Sequence, residues 1–206
     1  IDGNKAVILE VNSETDFVAK NDEFQQFVSD VAKTIAEQNP ADVEALKELK
    51  CGDSTIGEML TEKIAKIGEN MNIRRFQKIA VPGTKNVGYI HGGGTIAVVV
   101  TLKTEATAEE VATVGKDVAM QVASMNPKYV SEADVDPAFI ESEKHILLQQ
   151  ALNENTGKPQ EIIEKMVMGR LKKELKETCL LDQKFVKDNE VTVAQYVKNV
   201  AKEIGK

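Results

Sequence analysis

His91-Gly92-Gly93-Gly94 is the run in this sequence closest in form to a piece of catalytic machinery. In serine hydrolases such a run offers backbone N–H groups to an oxyanion, but it needs a nucleophile on a G-x-S-x-G elbow. No such elbow exists here. The run leads into an apolar stretch that reads as a strand, and no Lys-Ser/Thr follows it, so it is not a phosphate cradle. A glycine-rich hairpin turn is the expected role, with His91 at its tip open to a partner. Neither His91 nor His145 lies in HExxH or beside a cysteine pair, so zinc chemistry has no support. Glu14, Asp16, Asp22 and Glu23 cluster, but not at EF-hand spacing. A carboxylate pair acting on a sugar needs aromatic platforms, and the sequence has no Trp and only 4% aromatic residues. No catalytic residue, metal ligand or cofactor is expected, and the chain is not expected to be an enzyme.

Thr15-Asp16-Phe17-Val18 carries a different kind of chemistry. A large apolar ring stands beside a carboxylate, between a strand and a helix start. Two readings are open. Phe17 packs beneath its own helix, or it is an exposed wedge for a partner's pocket.

The elements that must position these residues are legible as periodic runs. The chain opens Ile1-Asp2-Gly3-Asn4 and enters the strand Ala6–Val11, so it is expected to begin inside a hairpin of a truncated or processed protein. A second hairpin follows the same plan, with Val87–Ile90 as one strand, His91–Gly94 as the turn and Thr95–Leu102 as the return. Phe24, Phe27, Val28, Val31 and Ile35 form a helical stripe, with Asn21 as N-cap. Ile56, Met59, Leu60, Ile64 and Ile67 form another, stopped by Gly68. Thr107 and Glu110 make a capping box ahead of Val111, Val114, Val118 and Val122. Asn72–Phe76 and Ile79–Val81 read as strand, and Val193–Ile204 as a last helix.

Asp30–Pro40 aligns with Asp117–Pro127, with Asp, Val, Ala, Ala, Asn and Pro identical. A duplicated hairpin-plus-helix unit follows, with a first repeat over 1–84 and a second over 85–206. The fold class is α+β: a duplicated core of antiparallel sheet and helices, with an inserted antiparallel helical hairpin, a coiled coil, at 137–177. In that hairpin Pro137–Asn155 and Gln160–Glu177 are the helices, and Thr156–Pro159 is the stop and restart. Ile140, Leu147 and Ala151 are placed to face Ile163, Met166, Val167 and Leu171.

Composition narrows the function. The 206 residues carry a net charge of −7, which argues against wrapping bare nucleic acid. Acidic residues outnumber basic ones over 1–50 and fall below them over 151–206. No apolar run is long enough to span a membrane, and no secretory leader is visible. Cys51 and Cys179 are far apart in sequence and expected to be free thiols in a cytoplasmic setting. A rival reading makes the chain an RNA-binding or adaptor protein using Lys165, Arg170, Lys172, Lys173 and Lys176 of the helical hairpin. Without interleaved aromatics that surface is a poor single-strand platform, and nucleic acid is not expected as a direct partner.

The run Asn12–Phe24, containing Thr15-Asp16-Phe17-Val18, resembles the signature of the elongation factor Ts family. Lys66–Arg75, His91-Gly92, Gly157-Lys158-Pro159, Glu164–Val167 and Gly169-Arg170 agree with it in the same order along the chain. The resemblance implies a guanine nucleotide exchange factor of translation elongation. The resemblance implies elongation factor Tu, GDP-bound and nucleotide-free, as the partner. It implies that Thr15, Asp16, Phe17 and Val18 reach the partner's nucleotide-binding domain and disturb its magnesium site, with Phe17 as the intruding ring. Ile67, Gly68 and His91 are implied as further contacts. It also implies a small N-terminal helical module and a strand-containing tail, neither of which falls within residues 1–206.

Overall fold

The computed structural model describes residues 1–154 and 157–205. By packing, the chain divides into two compact units, Ile1–Ala123 and Ser124–Lys206.

The first unit opens on a tight turn. Asp2 and Lys5 exchange backbone hydrogen bonds of 2.9 Å across Gly3, whose φ is +58°, and Asn4. The expected turn is therefore present, centred one residue later than Asp-Gly. It leads into β1 (Lys5–Asn12). The helices α1 (Asp16–Ala19), α2 (Asp22–Gln38) and α3 (Val43–Lys47) follow, then the short strands β2 (Lys50–Cys51) and β3 (Ser54–Thr55). Next come α4 (Ile56–Ile67), β4 (Asn72–Ala80), β5 (Thr84–His91), β6 (Ile96–Lys103) and α5 (Ala108–Met125). β1 pairs antiparallel with β4 from Lys5↔Ala80 to Asn12↔Asn72, with a bulge between Glu10 and Val11. β5 and β6 pair antiparallel from Thr84↔Lys103 to His91↔Ile96, and Gly92–Gly94 form the tight turn between them.

The core of this unit is built from the predicted stripes. Phe24, Phe27, Val31 and Ile35 of α2 meet Ile56 and Leu60 of α4, Leu46 of α3, and Met71 and Ile73 beside and within β4. Such burial removes the apolar side chains from water and is the main source of stability. The helix ends follow local chemistry. Thr55 and Glu58 form a reciprocal capping box on α4, and Gly68 ends that helix at φ +81°. The expected capping box on α5 is present, with Thr107 N donating to Glu110 Oε2 at 2.7 Å and Glu110 N to Thr107 Oγ1 at 3.3 Å. α5 lies so close on β5 that a Cβ at Gly115 would stand 2.4 Å from Val87 Cγ2.

The second unit holds α6 (Pro137–Glu154), α7 (Gln160–Thr178), β7 (Lys184–Phe185), β8 (Asp188–Thr192) and α8 (Val193–Glu203). Near the end of α6, Ala151 and Leu147 pack with Ile163 and Val167 of α7. Near its start, Ile140 packs with Leu171 and Leu175. Met166, expected on the same face, belongs to neither cluster. The predicted helix end at Asn155 and the stop at Thr156 lie outside the described residues. Phe185 stacks on Tyr196 with ring centroids 4.2 Å apart, joining the small β7–β8 hairpin to α8. Both cysteines are free, and burial pushes the Cys179 thiol pKa up. Among the described residues no helix is long and apolar enough to cross a membrane.

Candidate partner-binding site

β1 delivers the chain to the site at Asn12, which is still paired with Asn72 at the start of β4. The loop Ser13–Thr15 follows, and α1 begins at Asp16. Thr15 is extended, with φ −124° and ψ 156°, and its hydroxyl accepts from Val18 N at 3.4 Å, so it is the N-cap of α1. Ser13 Oγ donates to the Thr15 carbonyl at 3.1 Å and braces the approach. Two residues past α1, Asn21 Oδ1 accepts from Glu23 N at 2.8 Å and Phe24 N at 3.3 Å, starting α2. The expected N-cap is thus in place, and the tetrapeptide sits on a separate single helical turn ahead of it.

That turn separates its two apolar residues. Neighbouring residues on a helix point about 100° apart. Val18 is half-buried and packs against the α2–α4 core. Phe17, next to it, is 82% exposed. Asp16 lies on the same turn and pairs with Lys20 at 2.8 Å, one helical turn on. The hydrogen bond from Lys20 holds the Asp16 carboxyl pKa below its ordinary value. The tip therefore presents an apolar ring flanked by an exposed Asp16–Lys20 ion pair.

A second segment is joined to this one. Glu69 follows Gly68, and its Oε2 accepts from Glu14 N at 3.2 Å and Thr15 N at 3.0 Å. Its Oε1 accepts from Thr15 Oγ1 at 2.6 Å. The structure thereby brings Thr15–Val18 together with the Ile67-Gly68 turn. Ile67 itself is half-buried against the core, whereas Gly68 is exposed. His91 stands elsewhere, at the exposed end of β5, with its Nδ1 2.9 Å from Tyr89 Oη. Glu69 is the residue that sequence reading missed as part of the site, because nothing in local spacing connects it to Thr15, 54 positions earlier.

Glu23 locks the base of the site. Its carboxylate bonds Lys66 at 2.6 Å and lies 3.5 Å from Lys63, tying the first turn of α2 to the last turns of α4. The Lys66 hydrogen bond lowers the Glu23 pKa. A lowered folded-state pKa gives stability that is present above the unfolded value and lost as pH falls through the folded one. We expect Glu23→Gln to lose less stability than the parent between pH 7 and about pH 3, a window set by the ordinary glutamate pKa near 4.3. Denaturant titration at the two pH values measures this.

The remaining candidates are less organised. Among the described residues no group of His, Cys, Asp or Glu side chains could hold a metal ion. On α7, Lys165 pairs with Glu161 at 3.0 Å and Arg170 with Glu154 at 2.6 Å, so part of the basic face is neutralised within the protein.

The model of the family described as "Elongation factor TS" matches residues 14–206. The chain belongs to the elongation factor Ts family. It is 52% identical over 205 residues to elongation factor Ts of Clostridioides difficile (strain 630), an alignment covering 99% of this chain and 67% of the relative. It is 51% identical over the same length to that of Clostridium perfringens (strain 13 / Type A), with the same coverage of both chains. Against elongation factor Ts of Clostridium acetobutylicum the figure is 44% over 205 residues, covering 98% of this chain and 66% of the relative. The chain spans about two thirds of the length of these elongation factor Ts proteins, and the matched region contains the whole Thr15–Val18 turn.

Proposed function

We propose that this chain is a guanine nucleotide exchange factor that binds elongation factor Tu·GDP and promotes GDP release in translation elongation, within the cytoplasm. The Thr15–Val18 turn enters the partner near its Mg²⁺ site, with Phe17 as the wedge. The observation that carries this reading is an 82% exposed phenylalanine on a capped helical turn, anchored through its neighbour Val18. Exposing such a ring to water is unfavourable, and a partner's pocket relieves that cost.

Exchange of this kind makes and breaks no covalent bond. The chain binds more tightly to the partner's nucleotide-free conformation, and that difference in binding weakens the hold on GDP. Linkage makes the effect reciprocal: the factor by which this chain lowers GDP affinity is the factor by which GDP lowers this chain's affinity. GTP then enters because it is available. Asp16, paired with Lys20 on the same turn, repels phosphate or rearranges magnesium ligands from beside the ring. Ile67, Gly68 and His91 supply further contacts.

We also read the core as two copies of one hairpin-plus-helix unit, over 1–84 and 85–206, with α6 and α7 forming an inserted coiled coil. In support, α2 and α5 are each followed by a left-handed asparagine, Asn39 at φ 53° and Asn126 at φ 44°, and a proline comes next in both.

The test is stopped-flow release of a fluorescent GDP from elongation factor Tu. Acceleration that saturates with this chain's concentration is expected, and an unchanged release rate overturns the reading. Asp16→Asn is expected to slow release less than loss of the ring does, with the deficit varying as Mg²⁺ is titrated in the same assay.

A further inference from the structure

A threonine N-cap opens α1, α4 and α5, as it does α8, and in each of the first three the cap's own backbone N–H donates to a glutamate. In α4, Thr55 N donates to Glu58 Oε2 at 2.7 Å, and in α5, Thr107 N donates to Glu110 Oε2 at 2.7 Å. Both acids stand three residues after the threonine, the position from which a side chain reaches back to the cap. In α1 that position is Val18, whose side chain is committed to the core. Thr15 N donates instead to Glu69 Oε2 at 3.0 Å.

We infer that Glu69 is a positioning residue for exchange: it supplies across the fold the capping carboxylate that the Thr15–Val18 turn lacks, and so fixes the direction in which Phe17 is presented. The assignment rests on the proposed role of Phe17. Three hydrogen bonds converge on one charged group, and such bonds are stronger than neutral ones. The bond from Thr15 Oγ1 also sets the hydroxyl rotor. A hydroxyl has one proton to donate. With that proton on Glu69 Oε1, the oxygen turns lone pairs toward Val18 N and closes the turn. Gly68 contributes the left-handed corner, at φ +81°, that carries the chain from α4 to Glu69. One carboxylate therefore holds the cap, the loop before it and the adjoining Ile67-Gly68 turn in register.

The test is a double-mutant cycle in the fluorescent-GDP release assay with the chain otherwise intact. Glu69→Ala is expected to slow release about tenfold, the scale set by losing hydrogen bonds to a charged acceptor. Glu69→Gln, which keeps an acceptor oxygen, is expected to fall between it and the parent. Phe17→Ala combined with Glu69→Ala is expected to be no slower than Phe17→Ala alone, because the carboxylate acts through the ring. A double variant slowed by the product of the two single effects overturns the inference, as does a parental rate for Glu69→Ala when Phe17→Ala is slow. A parental rate for Phe17→Ala overturns the wedge reading itself. Amide hydrogen exchange at Glu14 and Thr15 then judges the hold on the loop independently: faster exchange in Glu69→Ala supports it, and unchanged exchange overturns it.

Discussion

Replacing Phe17 by alanine is expected to leave the protein folded and to slow GDP release from elongation factor Tu by about 10- to 100-fold. The size follows from burial of one phenylalanine side chain, worth roughly 1.5–3 kcal/mol, with each 1.36 kcal/mol a factor of ten in rate. The stability arm follows from placement. The ring is 82% exposed and α1 buries none of its residues, so its removal opens no cavity. Thermal unfolding of the variant is expected to match the parent closely. The release rate is read at saturating concentrations as well, so that lost affinity and lost acceleration are separated. A well-folded variant with the parental rate at every concentration removes the wedge from the mechanism.

Ten residues along, the same substitution has the opposite signature. Phe27 is 1% exposed in the cluster joining α2, α3, α4 and β4. Phe27→Ala removes buried apolar surface and leaves a cavity, a change that costs about 3–5 kcal/mol. Whole domains are stable by only about 5–15 kcal/mol, so the midpoint of chemical denaturation falls steeply. Exchange activity drops only as far as the folded fraction does. Phe17→Ala changes rate at constant stability, whereas Phe27→Ala changes stability first. A loss of unfolding free energy of less than about 1 kcal/mol in Phe27→Ala would contradict this packing assignment.

The contrast between these two rings also marks how far the sequence could be read. Phe27 belongs to a stripe repeated every three to four residues, and periodicity assigned it to the core correctly. The same signal placed α2, α4, α5 and α8. Asn21, Gly68 and the Thr107–Glu110 pair marked helix ends because capping is chemistry between residues a turn apart. Phe17 sits on a helix of four residues, too short to show a period, so both of its readings stayed open. The path of its loop is fixed by Glu69, a contact with no local trace. The strands β2, β3 and β7 escaped notice because two residues carry no alternation, and β8 because Asp188-Asn189-Glu190 opens it with three polar residues. The β1–β4 pairing joins strands separated by four helices, so the pattern showed each strand and left the register between them to tertiary packing.

The single turn of α1 carries a constraint on chain length. Thr15 is bound at one end by Glu69, and Val18 packs, half-buried, against the core at the other. An extra residue between them would swing the aromatic tip about 100° around the helix axis, away from its present bearing. Homologues can therefore exchange side chains around this tip more readily than they can gain or lose a residue within it.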